Sequence, residues 1–221
     1  MAHGEDAVPR TFLTDNRFPI DDQVLYRATA AEYTHLEHLD RLAIDAGLSS
    51  EEALRFVKRT FVVDIDYLVA YFFRKELAGK YPEGRFNSAQ LSCIYASFEE
   101  ATAGVEKANQ LISDANTIWP RNIAVYSLRL TGWSWDLTGI VDVRVLGDDW
   151  RYTQLVGQEA SKDAEALFSK SARGVGHNAA VFAQYSVAAG VLVENFVVDG
   201  AAPLATAASA YNRRRVRARY S

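Results

Sequence analysis

Between residues 36 and 79 the apolar side chains recur at helical spacing. Leu36, Leu39, Ala43 and Ala46 form a first stripe, and Gly47 sits where a C-terminal cap belongs. Ser49 followed by Glu52 resembles a capping box for a second helix carrying Leu54, Val57 and Phe61. Ile65, Leu68, Val69 and Phe72 make the stripe of a third, which stops near Gly79 and Pro82. Ahead of these helices, residues 1–22 read as an irregular lead-in containing Pro9 and Pro19, and the short apolar piece Val24-Leu25-Tyr26 delivers Arg27. Beyond Pro82 the period changes. Leu91 to Tyr95 predicts a strand, and Ser97 with Glu100 predicts the cap of a helix running to about Ser113. Asn122 to Leu130 predicts a strand, as does Val141 to Val145 on the alternation of Val141, Val143 and Val145. Ala179 to Ala183 and Val191 to Val198 predict two more. Helices gathered in the first half and strands in the second imply an α+β fold, not a doubly wound one.

Composition narrows the class. The chain has 221 residues, 49% of them hydrophobic and 24% charged, which is ordinary globular usage and enough to bury one core. No internal repeat interrupts it, so residues 23–200 are read as one domain with a helical insertion at about 30–80, followed by a C-terminal segment, 201–221. The single cysteine, Cys93, excludes an internal disulfide framework. No run approaches the ~18 apolar residues of a membrane span, and the N-terminus lacks a signal peptide's apolar stretch. The expectation is a soluble, cytoplasmic protein without a membrane partner. A net charge of −4 argues against coating nucleic acid. The run Arg213-Arg214-Arg215-Val216-Arg217-Ala218-Arg219 is read first as a solvated end, with nucleic acid or an acidic partner as the other candidates.

Several chemistries are then excluded by what the chain lacks. His35 and His38 lie one helical turn apart, but no cysteine or third acidic ligand joins them on that face, so no metal site is expected. There is no GxxxxGK[ST] loop, no GxGxxG after a strand and no GxSxG elbow. The absence of a dinucleotide fingerprint argues against NAD held as a hydride carrier.

What remains is a set of polar residues at element ends. Arg27 follows an apolar strand-like stretch, and Arg85 sits in Gly84-Arg85-Phe86-Asn87 ahead of a strand. Tyr95 ends that strand, and Glu106 lies on the helix beginning near Ser97. Ser171 sits in Lys170-Ser171-Ala172-Arg173, with Gly176 and Asn178 behind it. Singly, each has an ordinary explanation: a surface ion pair, a core-closing tyrosine, a solvent-facing glutamate. Their combination and order carry the argument.

That combination resembles the RES family of bacterial toxins. Gly84-Arg85-Phe86-Asn87, Ile94-Tyr95-Ala96-Ser97, and Thr102-Ala103-Gly104-Val105-Glu106 are similar to the family's successive blocks. Asp136-Leu137-Thr138 and the pair Lys170-Ser171-Ala172-Arg173 and Gly176-His177-Asn178 continue the order, from about Val24 to Ala183 overall. Lys170 stands where the family usually has proline, Ala28 stands where some members have an aromatic residue, and the stretch between Arg27 and Arg85 is longer than usual. The resemblance implies an ADP-ribosyltransferase-like split β-sheet core with NAD in the cleft. It implies NAD as substrate, with no separate cofactor, and neutralisation by a cognate antitoxin or immunity protein. Self-association is left open.

The residue chemistry fits that implication. Guanidinium groups supply planar forks of donors for a pyrophosphate, for which Arg27 and Arg85 are the candidates. An aromatic face can hold the cationic nicotinamide, a role for Tyr95. Positive charge builds on the ribose as the glycosidic bond breaks, and Glu106 would stabilise it. Ser171 offers a donor and acceptor for ribose or phosphate, beside Asn178. The expected activity is therefore NAD cleavage at the nicotinamide–ribose bond, by hydrolysis or phosphorolysis. Protein mono-ADP-ribosylation is the alternative within this chemistry, and a catalytically silent interaction module is the alternative outside it. The apolar stripe at Ile65, Leu68, Val69 and Phe72 favours a lid packed on the domain, hence small acceptors.

Overall fold

The computed structural model describes residues 16–31, 69–70, 72–73, 79, 83–113, 121–140, 142–146, 150–172, 176–188 and 191–198. Strand β1 (Arg17–Ala31) comes first, then β2 (Ile94–Ser97), helix α1 (Glu100–Ser113) and the long strand β3 (Arg121–Asp136). A helical turn α2 (Val143–Leu146), helix α3 (Trp150–Ala160) and strands β4 (Ala166–Lys170) and β5 (His177–Val181) follow. The short β6 (Val187–Ala188) and β7 (Leu192–Val198) complete the described elements. The class is mixed α+β, as the order of patterns implied.

The sheet closes on itself. β1 pairs antiparallel with β3 from Arg17↔Trp135 to Ala31↔Asn122, and the path β1-β2-β5-β4-β3 returns to the same two strands. β3 and β4 run parallel, whereas every other pairing among the described residues is antiparallel. A bulge between Ile20 and Gln23 bends β1, with Asp22 in the left-handed region at φ 56°. The ring has a seam: β1 and β2 meet through the single residue pair Tyr26↔Ser97.

Alternation along the strands sorts the core into layers. Leu25, Ile94, Ala96, Tyr126, Leu128, Leu130, Phe168 and Val181 fill the inside of the ring. The intervening residues point outward. Ile123 and Val125 pack under Ala108 and Leu111 of α1, while Leu167, Ala180 and Phe182 pack under Tyr152, Val156 and Ala160 of α3. Helix α3 approaches so closely that a Cβ on Gly157 would lie 1.8 Å from the carbonyl oxygen of Phe86.

The structure corrects the sequence reading in several places. The strand expected over Val141–Val145 is not formed at its described residues: residues 143–146 form α2. Three alternating valines are outweighed by Asp142, whose Oδ1 accepts the Arg144 amide at 2.8 Å and starts a helical turn. Residues 17–22, assigned to the lead-in, belong to β1. The strand expected at Leu91–Tyr95 sits further on, at Ile94–Ser97. Ser97 consequently lies in β2 and does not cap α1; Glu99 does so instead, its carbonyl accepting the Ala103 amide at 3.1 Å. Helix α3 and strand β4 had no counterpart in the sequence reading. The helices expected between 36 and 79 fall largely outside the described residues, as do His35 and His38. Within that stretch Val69, Ala70 and Phe72 are helical, and Val69 and Phe72 pack against the ring interior.

Candidate functional site

Strand register places four side chains in a row across the outer face of the sheet. Tyr26 of β1 faces Ser97 of β2, Ser97 faces Asn178 of β5, and Asn178 faces Ser169 of β4. Directly opposed residues share a face, and Tyr26 packs with the cluster under α1, so the row runs beside that helix. Ser97 and Ser169 are each 3% exposed, polar positions where the neighbouring outward residues are apolar.

Helix α1 brings Glu106 onto this row. Its Oε1 accepts the Ser171 hydroxyl at 2.5 Å and the Asn178 side-chain amide at 2.9 Å. On its other side the Asn178 amide oxygen accepts the Ser97 hydroxyl at 2.7 Å. Two donors converge on one carboxylate oxygen and fix its rotamer. Among the described residues Oε2 has no hydrogen-bond partner, so it is the oxygen that can meet a ligand.

The turn that carries Ser171 is tied to the same helix. The Ser171 amide donates to the Gly176 carbonyl at 3.0 Å, closing the β4–β5 connection. Gly176 takes φ +133°, and a Cβ there would lie 2.4 Å from both Glu99 Oε2 and Thr102 Oγ1. Glu99 Oε2 accepts the Thr102 hydroxyl at 3.0 Å and the His177 amide at 3.2 Å. The start of α1 therefore pins the turn whose serine is received by Glu106 in its second turn.

Tyr95 and Arg85 hold backbone. The Tyr95 hydroxyl accepts the Phe86 amide at 2.7 Å and donates to Asn87 Oδ1 at 3.0 Å. Burial pushes its phenol well above the usual range. A Cβ on Gly84 would meet the Tyr95 ring at 2.7 Å, so the glycine is what lets the 84–87 turn close over the tyrosine. Arg85 donates from Nη1 to the Lys170 carbonyl at 3.1 Å and from Nη2 to the Val145 carbonyl, joining the end of β4 to α2. The Tyr95 hydroxyl thus holds the 84–87 turn, and the Arg85 fork holds the end of β4 and α2.

Arg27 lies at the seam. Its cross-strand partner is Tyr126 of the ring interior, its guanidinium sits 4.6 Å from the centre of the Phe72 ring, and Nη1 donates to the Tyr95 carbonyl at 2.5 Å. Burial lowers its pKa to about 10, partly offset by the neighbouring Cys93, and its Nε has no partner among the described residues. Burial raises the Cys93 thiol in turn to about 12. The structure thus joins Glu106, Ser171 and Asn178 by hydrogen bonds and adds Ser97. Arg27 turns to the other face of the sheet. Ser97 was missed because Glu100, three residues on, made it look like a cap; only the β2–β5 register reveals its partner.

A cavity of about 380 Å³ opens elsewhere, lined by Arg17, Lys162, Glu165, Phe182 and Tyr185. These residues flank the start of β4 and the end of β5, whereas Ser171 and Asn178 flank the end of β4 and the start of β5. In that cavity Glu165 is already satisfied by the Trp133 amide at 2.7 Å and the Tyr185 hydroxyl at 2.9 Å. Among the described residues no group of three or more His, Cys, Asp or Glu side chains could hold a metal ion.

The RES domain family model matches residues 62–204, a stretch that includes Arg85, Tyr95, Ser97, Glu106, Ser171 and Asn178 and begins after Arg27. No curated protein sequence matches the chain. Among solved structures, the chain is similar to the crystal structure of the M. tuberculosis MbcT–MbcA toxin–antitoxin complex. The TM-score is 0.52 at 15% identity, covering 90% of this chain and 96% of that one, a likeness of fold.

Proposed function

Because the chain belongs to the RES domain family, we propose that it is a toxin that consumes NAD by breaking the nicotinamide–ribose bond, through hydrolysis or phosphorolysis. The observation that carries this reading is the Glu106 carboxylate, with one oxygen locked by Ser171 and Asn178 and the other free of partners among the described residues. Departure of neutral nicotinamide takes the bonding electron pair with it and leaves positive charge on the ribose. A preorganised carboxylate stabilises that charge without having to reorient. Water or phosphate then supplies the new bond to the ribose carbon.

The seam between β1 and β2 supports an ADP-ribosyltransferase-like split sheet with NAD lying along it. Arg27, with donor capacity left at Nε, is the proposed pyrophosphate contact. Arg85 and Tyr95 serve NAD by holding the turns that border it. Among the described residues no helix is long and apolar enough to cross a membrane, in keeping with action in the cytoplasm, where NAD is present. A cognate antitoxin is the proposed partner, by analogy with the toxin–antitoxin complex that shares the fold.

The test incubates pure protein with radiolabelled NAD, with phosphate, without it, and with cell lysate. Free ADP-ribose or its phosphate as the only labelled product is expected. Label entering a discrete protein band at the rate of nicotinamide release replaces this reading with protein ADP-ribosylation. No loss of NAD under any condition leaves the interaction module.

A further inference from the structure

The carboxylate just described is held at the end of a relay that begins in the sheet. Ser97 is 3% exposed and cannot reach bulk water, so its hydroxyl must find a partner inside. That partner is the amide oxygen of Asn178 at 2.7 Å, and the nitrogen of the same amide reaches Glu106 Oε1 at 2.9 Å. An ionised carboxylate can only accept. The amide must therefore turn its nitrogen to Glu106 and its oxygen to Ser97. Ser97 and Asn178 are opposed across β2 and β5, so the backbone sets their spacing.

We infer that Ser97 is a positioning residue: it holds the Asn178 amide so that its nitrogen fixes Glu106 with Oε2 turned to the substrate. This rests on the NAD-consuming reading for its kinetic test, but not for its structural one. Ser97 touches no substrate in this arrangement and acts through Asn178 alone. Its loss therefore lowers the rate of bond breaking and leaves NAD binding nearly unchanged. Asn178 has a stronger form of the same role, because it bonds the carboxylate itself.

The experiment compares Ser97→Ala, Ser97→Thr and Asn178→Asp with the native full-length chain. Melting temperature is measured first, to set aside any variant that fails to fold. Ser97→Ala is expected to lose about tenfold in kcat with KM for NAD within about twofold, the effect of one buried hydrogen bond. Ser97→Thr keeps the hydroxyl and recovers most of the rate. Asn178→Asp preserves shape but turns an oxygen towards Glu106, and it loses more than Ser97→Ala. Equal loss in the alanine and threonine variants, or a rise in KM alone, overturns the assignment. A second arm uses isotope-labelled protein without NAD. The Asn178 side-chain amide, assigned by its loss in Asn178→Asp, should exchange slowly with solvent in the native chain and faster in Ser97→Ala and Glu106→Gln. Unchanged exchange in folded Ser97→Ala overturns the relay. If the native protein leaves NAD intact, the functional reading fails and the exchange arm alone decides the relay.

Discussion

At the scale of single residues, position and partner separate roles that residue type leaves merged. Glu106, Ser171 and Asn178 were legible because a carboxylate, a hydroxyl and an amide stood in motif order, and the structure joins them. Arg85 and Tyr95 were legible as special, but the backbone groups that each one bonds were not. A guanidinium can grip phosphate or carbonyl with the same fork, and only the approach of Lys170 and Val145 shows that it grips carbonyls here. Glu106→Gln keeps the shape of the side chain and removes its charge. It should cost NAD turnover at least ~100-fold, the ~2.7–4 kcal/mol of a lost charge-stabilising contact, in a protein that still folds. A stopped assay for nicotinamide checks this, and near-native turnover in a folded variant removes Glu106 from the mechanism. Cys93 gives a second prediction. A thiol with its pKa raised to about 12 stays protonated at neutral pH, and the protonated form does not attack alkylating agents. Iodoacetamide at pH 8 should label the urea-unfolded chain quickly and the native chain very slowly, as read by mass spectrometry. Fast labelling of the native chain would place Cys93 at an accessible surface.

Secondary-structure elements were legible where local signals agreed. Helix α1 shows this: an acidic first turn and a buried stripe at Ala103, Ala108 and Leu111 mark the element that runs from Glu100 to Ser113. Strand β3 was found but cut short, because Gly132 interrupts its pattern while the pairing with β1 carries it on to Asp136. Strand β4 was invisible. Its five residues are buried on both faces except Lys170, so no alternation marks them. The helical turn at Val143 failed for the opposite reason, since alternation over so few residues cannot outweigh a local cap. Packing between α3 and the 84–87 turn offers a direct test. Gly157→Ala drives a methyl into the Phe86 carbonyl, which the backbone can relieve only by moving α3. Overpacking of this kind costs about 1–3 kcal/mol or more, and a fall in Tm of roughly 3–10 °C is expected by calorimetry. An unchanged Tm would mean that the helix rests further from the turn.

For the whole molecule, the class was legible and the closure was not. Helical and strand patterns in succession give α+β, but nothing in a local pattern says that the first strand pairs with β3 instead of its neighbour in sequence. The seam between β1 and β2 follows from that pairing, and the proposed NAD cleft follows from the seam. Cells making the chain alone should lose NAD and stop growing, while cells making Glu106→Gln grow on; equal growth of the two counts against a toxin acting in the cytoplasm. Removing residues from Arg213 onward should leave NAD turnover intact in the purified protein, since every hydrogen bond of the Glu106 cluster is made before residue 179. Ring closure also sets a timetable. Long-range strand pairing is slow to form, and Asn178, which completes the Glu106 cluster, belongs to a strand that emerges late from the ribosome. On the function proposed above, translation gives the cell a grace period: residues 1–177 are made before the Glu106 cluster can be completed, and a neutralising partner would have that interval in which to meet the chain.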